Sequence, residues 1–252
     1  MKTKNILSKK KVIPLIAILV ISMLGGVVIL AKQNKVDEKQ KIFDKKVQEW
    51  IDYCRSQPEI CFSSYNASSI ETEQFKEIEN LGIEYLPYML KYIEENQGFN
   101  SSALIVAVQK NAKTYIKNYS SPIEWRDGWN EYTKALPEKV QSIKEEIYKD
   151  NSKENVKMKK DELVKFGVLA IPLILEDVKA GNEEMADVVR TIVASDKVVR
   201  DESILSDKDK AKNKTWIDKT VPKDNDVSKW KTWIDANEGK YNKIKEQVLK
   251  IK

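Results

Sequence analysis

Apolar residues recur along much of this chain at spacings of three and four, the period of a helix with one buried face. The clearest run is Leu163, Phe166, Ala170, Ile171, Ile174, Leu175 and Val178, with Gly167 and Pro172 set among them. The same pattern stands 85 residues earlier as Ile78, Leu81, Tyr85, Leu86, Met89, Leu90 and Ile93, with Gly82 and Pro87 in register. A helical period alone arises easily. The shared glycine–proline punctuation points to a duplicated helical unit.

The residues after each run match as well. After Asn96-Gln97-Gly98, a helix capped by Ser101 or Ser102 presents Ala103, Leu104, Ala107, Val108 and Tyr115. After Gly181-Asn182, a helix from about Glu183 presents Met185, Val188, Val189, Ile192 and Val193. Ser121-Pro122-Ile123-Glu124 reads as a helix start with a capping box, and Trp125, Trp129 and Tyr132 come next on one face. Pro137 is expected to begin a further helix carrying Val140, Ile143 and Ile147. Trp233 aligns with Trp129 at a shift of 104 rather than 85, so extra residues lie between them, and the charged run from Ser206 is the natural surface insertion. Near the N-terminus, Phe43, Val47, Trp50, Ile51 and Cys54 mark a helix ended by Gln57-Pro58. No segment alternates with period two, and the expected fold is all-α.

Val12 to Ala31 run for 20 residues without a charge, about 30 Å as a helix and enough to cross a bilayer core. Lysines 2, 4, 9, 10 and 11 precede it, which keeps that end in the cytoplasm and places the rest outside. The run is long for a cleaved signal, and Ile29 before Ala31 is a poor cleavage site, so an uncleaved signal anchor is the favoured reading. The organisation expected is therefore a basic cytoplasmic tail (1–11), a transmembrane anchor (12–31), a spacer (32–40), an N-terminal helix with a Cys54–Cys61 loop (41–70), and helical units at 71–150 and 158–252. In an oxidising exterior, Cys54 and Cys61 are read as a disulfide rather than a redox pair, whose usual spacing is C-x-x-C.

The segment Phe166-Gly167-Val168-Leu169-Ala170-Ile171-Pro172, its Gly181-Asn182 turn and the Leu81-Gly82 to Pro87 copy resemble HEAT-like α-helical repeats. The resemblance covers roughly residues 75–110 and 160–195. It implies a short stack of two units in which proline bends the first helix of each pair.

Charge and composition narrow the function. Setting aside the five leading lysines leaves 39 basic and 39 acidic residues, so the body has no net field to draw it to nucleic acid. Histidine is absent, which removes the commonest general base and metal ligand, and with two cysteines no zinc site of the usual ligands can be built. No catalytic residue, cofactor or metal site is expected. Trp125, Trp129, Trp216, Trp230 and Trp233 are candidates for an aromatic binding surface or for helix packing, with packing the favoured reading. The reading that results is a non-enzymatic, membrane-anchored module acting on another extracytoplasmic or membrane protein. The alternative is a cell-wall polysaccharide binder or a carboxylate-based wall hydrolase.

Overall fold

The computed structural model describes residues 38–61, 67–96, 98–116, 119–150, 152–195 and 216–251. Two compact units divide the chain, Met1–Ile42 and Phe43–Lys252, and of the first only residues 38–42 are described. The described residues are helices and their connections, with no strand, so the fold is all-α. None of these helices is long and apolar enough to cross a membrane, and the expected anchor at 12–31 lies outside the described residues.

Helix α1 (Glu38–Ser56) turns Phe43, Val47 and Trp50 inward, four and three residues apart. Two short helices come next, α2 (Pro58–Cys61) and α3 (Ala67–Ile70). Helix α4 (Glu73–Glu79) is capped by the Thr72 hydroxyl, which accepts from the Phe75 amide. The chain then turns at Gly82, whose φ is +91°, passes through a 3₁₀ turn (Ile83–Tyr85) and enters α5 (Leu86–Glu95) with Pro87 in its first turn. Helices α6 (Phe99–Ala112) and α7 (Pro122–Lys149) complete this stretch. Among the described residues, the second stretch has the same order of elements. Helix α8 (Lys153–Lys165) leads to Gly167 at φ +60°, a 3₁₀ turn (Gly167–Ala170), and α9 (Ile171–Lys179) with Pro172 in its first turn. Then come α10 (Glu183–Ala194) and α11 (Val227–Lys243), which runs on into a π-helical turn (Ile244–Val248).

Three local expectations need correction. The two prolines do not bend a continuous helix. A positive-φ glycine ends one helix and the proline opens the next, where its missing N–H costs nothing because the first-turn donors have no intrahelical partner. Pro137 does not begin a helix but lies inside α7. Trp125, Trp129, Thr133, Leu136, Val140, Ile143 and Ile147 keep one buried stripe in phase past it. Burial of that stripe outweighs the roughly 3 kcal/mol that an interior proline costs. Neither Ser101 nor Ser102 caps α6, which starts at Phe99. The Ser101 hydroxyl instead donates back to the Asn96 carbonyl.

The elements close over one hydrophobic cluster that runs from Phe43 to Leu249. Helix α6 packs against α4 and α5, α8 against α7 and α10, and α9 against α10 and α11, while the π turn returns to α5.

Candidate functional site

Two places concentrate polar chemistry. The first is the joint after α6. Gln109, Asn111, Lys113 and Thr114 are all buried there. Three of them reach carbonyls at the C-terminal ends of other helices. Asn111 Nδ2 donates to Glu79 O of α4 at 3.0 Å, and Thr114 Oγ1 donates to Lys165 O of α8 at 3.2 Å. Lys113, only 1% exposed, donates through Nζ to Ile192 O of α10 at 2.9 Å and to Ser195 O. These are the carbonyls a helix leaves unpaired, and the negative end of the dipole at which a cation is favoured. The Lys113 ammonium also lies 4.1 Å from the centre of the Trp216 ring, whose Nε1 donates to Asn111 O at 3.2 Å. Gly167 closes the joint from the second stretch. A Cβ there would stand 2.3 Å from Ala112 O and 2.6 Å from Lys113 O. Its side-chain donors are taken up in holding helices together, which makes it a structural joint, although the buried Asn111 Oδ1 has no hydrogen-bond partner.

The second place is a shallow groove of about 520 Å³ along α11, lined by Thr220, Pro222, Ser228, Lys229, Thr232, Trp233, Ala236 and Asn237. Helix α11 starts at Val227 because Asp226 caps it, accepting from the amides of Ser228 and Lys229. The stretch before it is pinned by Arg190, which donates to the carbonyls of Pro222 and Asp224. Each polar residue lining the groove already donates within the protein. Thr220 Oγ1 gives its proton to Asp218, Ser228 Oγ to Asp226, and Lys229 Nζ to Asp224. Thr232 Oγ1 and Asn237 Nδ2 donate to the carbonyls of Ser228 and Trp233, one turn back. The apolar surface is Pro222, Trp233 and Ala236.

Behind the groove, Asp218 accepts from Thr220 N at 2.8 Å and from Trp233 Nε1 at 3.2 Å, with Lys240 Nζ at 3.9 Å. Burial works against its charge, but the Thr220 hydroxyl and amide, Lys240 and the indole outweigh it and hold the pKa below the ordinary aspartate value. Burial pulls Lys240 below the usual lysine range despite Asp218 and Glu84. Burial, with Asp218 nearby, pushes the Tyr241 hydroxyl far up. The Ser228 hydroxyl and the amides of Ser228 and Lys229 hold the Asp226 carboxyl below the ordinary aspartate value. Among the described residues, no group of three or more acidic, cysteine or histidine side chains is placed to hold a metal.

The tryptophans lie mostly in the core. Trp50, Trp125, Trp129, Trp230 and Trp233 are no more than 4% exposed, and Trp216 is half-buried under Lys113. Trp125 and Trp129, four apart, stack at 5.0 Å and 26°. Trp230 and Trp233, three apart, meet edge to face at 5.6 Å and 81°. Only Trp216 and Trp233 come to either place, Trp216 at the joint and Trp233 at the groove. Gly82, Pro87 and Pro172 lie in turns and first helical turns, while Gly167 alone of these four reaches the joint. Cys54 is half-buried on α1, and the Cys61 side chain, with the expected disulfide, falls outside the described residues. Sequence reasoning missed Asn111, Lys113, Thr114, Asp218 and Thr220. The one signal that bore on them was the tripeptide Trp-Ile-Asp, which occurs at Trp50, Trp216 and Trp233 and whose second copy contains Asp218.

Compared with protein-family models, curated proteins and solved structures, the chain matches none.

Proposed function

We propose that this protein is a membrane-tethered docking module. In this reading residues 12–31 anchor it, residues 1–11 face the cytoplasm, and the helical body outside binds another extracytoplasmic or membrane protein through the α11 groove. The two glycine–proline stretches are taken as two HEAT-like units, a reading supported by their common order of helix, positive-φ glycine, 3₁₀ turn and proline-led helix.

The observation that carries the docking reading is that the three hydroxyls lining the groove, of Thr220, Ser228 and Thr232, already donate within the protein. A ligand that accepted from any of these hydroxyls would have to break an internal bond for each one it made, at little net gain. An apolar side chain laid on the exposed Ala236, beside the buried Pro222 and Trp233, gains from burial without that exchange. Nothing comparable favours a polysaccharide. Sugar stacking needs an open ring face, and Trp233 is 4% exposed.

The test is a photo-crosslinking residue placed at Thr232 in the full chain, irradiated on intact cells, with the same probe at the exposed Glu94 of α5 as control. A discrete heavy adduct from Thr232 alone, lost when Ala236→Arg fills the groove, is the expected result. The same adducts from both positions, or an adduct indifferent to Ala236→Arg, would sink the reading. Orientation is checked separately by an impermeant maleimide after reduction, which should label Cys54 and Cys61 before permeabilisation.

A further inference from the structure

We propose that residues 216–226 are an autoinhibitory strap, lying where an extended segment of a partner binds. The inference rests on the docking reading only in taking the occupant of this face to be a protein. The strap runs from the joint to the groove: Trp216 lies under Lys113 at one end, and Thr220 and Pro222 line the groove further on. None of its residues belongs to a helix. The body holds it as a protein holds an extended peptide, by the main chain and by spaced side chains. The Asp218 amide donates to Val193 O at 2.8 Å, in the last turn of α10, where carbonyls have no intrahelical partner. Arg190 Nε donates to Pro222 O at 2.9 Å, Arg190 Nη2 to Asp224 O at 3.1 Å, and Trp230 Nε1 to the same Asp224 O at 3.0 Å. None of these four bonds uses a side chain of the strap.

Three strap side chains are read as well. Trp216 Nε1 donates to Asn111 O at 3.2 Å, with Lys113 Nζ over its ring. Asp218 Oδ2 accepts from Trp233 Nε1 at 3.2 Å, with Lys240 Nζ 3.9 Å away. Val221 joins the core. The attachment is nonetheless slight for a segment of this length. Of residues 216–226 only Val221 and Pro222 are buried, and that little apolar burial stands against the entropy of ordering eleven residues. Such a segment opens locally, short of global unfolding. Once it lifts, Arg190, Trp230, Trp233 and Val193 O are left for whatever extended chain takes its place. The partner segment is therefore one that repeats the strap's chemistry: an aromatic residue, a carboxylate two positions later and an apolar residue three further on.

The test uses the full chain in detergent micelles and a fluorescein-labelled synthetic peptide with the sequence of residues 216–226. Hydrogen exchange of the unmodified chain comes first. The Asp218 amide should exchange at least about tenfold faster than the Ile234 and Tyr241 amides of α11, because it opens without them. One common rate would mean that the strap opens only when the body unfolds, and would overturn the proposal whatever the variants do. The double variant Trp216→Ala/Val221→Ser loosens the strap and leaves Arg190, Trp230 and Trp233 in place. It should bind the peptide at least about tenfold more tightly than the parent chain, whose own strap competes. Adding Arg190→Ala should abolish that gain, and a peptide carrying Trp216→Ala and Asp218→Asn should not bind. Equal binding by parent and loosened chain, or none by a loosened chain whose circular dichroism is unchanged, would overturn the proposal too. If the loosened chain loses its helical signal, the exchange rates alone decide. None of these failures touches the Thr232 crosslink, so the docking reading stands or falls separately.

Discussion

Gly82 and Gly167 hold the same place in two stretches of the chain, and they answer to different constraints. Both have positive φ, both lead into a 3₁₀ turn, and each is followed five residues later by a proline in the first turn of a helix. A Cβ added to Gly82 would meet nothing within 4 Å, whereas one added to Gly167 would be driven into the Ala112 and Lys113 carbonyls. Backbone conformation alone requires glycine in the first turn. In the second, conformation and close approach both do. The difference arises because the second turn is laid on the end of α6, which belongs to the first stretch. One punctuation mark thus serves as a local turn in one place and as the contact surface of a joint in the other.

The largest expected effect comes from that contrast. Gly167→Ala must bear the strain of positive φ and also force apart two backbones, at about 3–5 kcal/mol. Gly82→Ala bears only the conformational strain, about 1–3 kcal/mol. Urea unfolding of the two variants side by side measures the gap, and equal losses would mean that the close approach at Gly167 is not a constraint.

Lys113 tests the joint from the other side. Lys113→Met keeps an apolar stem but removes the ammonium from over the Trp216 ring and leaves the Ile192 and Ser195 carbonyls short of their donor. A loss of about 2–4 kcal/mol is expected, from buried acceptors left unpaired. The loss should fall mainly on the second stretch, so amide exchange in α10 should quicken more than in α5. Uniform quickening would make Lys113 an ordinary core residue rather than a clamp on one helix end.

How much of this is legible in the sequence depends on the range of the interaction. Helix-forming stripes are readable because their period is local, and Asn182 before Glu183 announces the start of α10 by a cap that acts within four residues. The break at Gly167 reads wrongly as a bend, since proline's effect depends on whether the chain has already left the helix, and the φ of the glycine decides that. Pro137 misleads for the opposite reason: the buried stripe on either side of it is in phase and carries the helix through. Lys113 is invisible. In Asn111-Ala112-Lys113-Thr114 it looks like a solvated turn, and only carbonyls 79 and 82 residues away make burial of an ammonium tolerable. The groove is hidden likewise, because its walls come from the loop before α11 and from α11 itself, with Asp218 engaging both.

The two tryptophan pairs sharpen the same comparison at a smaller scale. Trp233 Nε1 donates to Asp218, while the buried Trp125 Nε1 has no partner. Trp233→Phe therefore strands part of a buried carboxylate's hydrogen bonding, and Trp125→Phe removes an indole N–H whose burial was uncompensated. The first should cost about 1–3 kcal/mol more than the second. Equal costs by thermal unfolding would mean that ring volume, and not the Asp218 bond, sets the value of Trp233.

The smallest effect concerns the helix end before each turn. Three residues before Gly82 stands Glu79, and three before Gly167 stands Val164, so only the first turn carries an ionisable group at this position. Burial raises the Glu79 pKa above its ordinary 4.5, and Lys110, 2.7 Å away, offsets this only in part. A raised carboxyl pKa in the folded state means that the unfolded chain loses this proton first as pH rises. The stabilising contribution is therefore whole below about pH 4.5 and is lost as pH climbs through the folded-state value. Glu79→Gln has no such proton to lose. Plotted against pH, the urea midpoint of the parent chain should fall relative to that of Glu79→Gln from pH 4.5 upward and then level off. A difference that instead grew with pH would show that the Lys110 ion pair outweighs burial, and that the first turn gains from its charge rather than tolerating it.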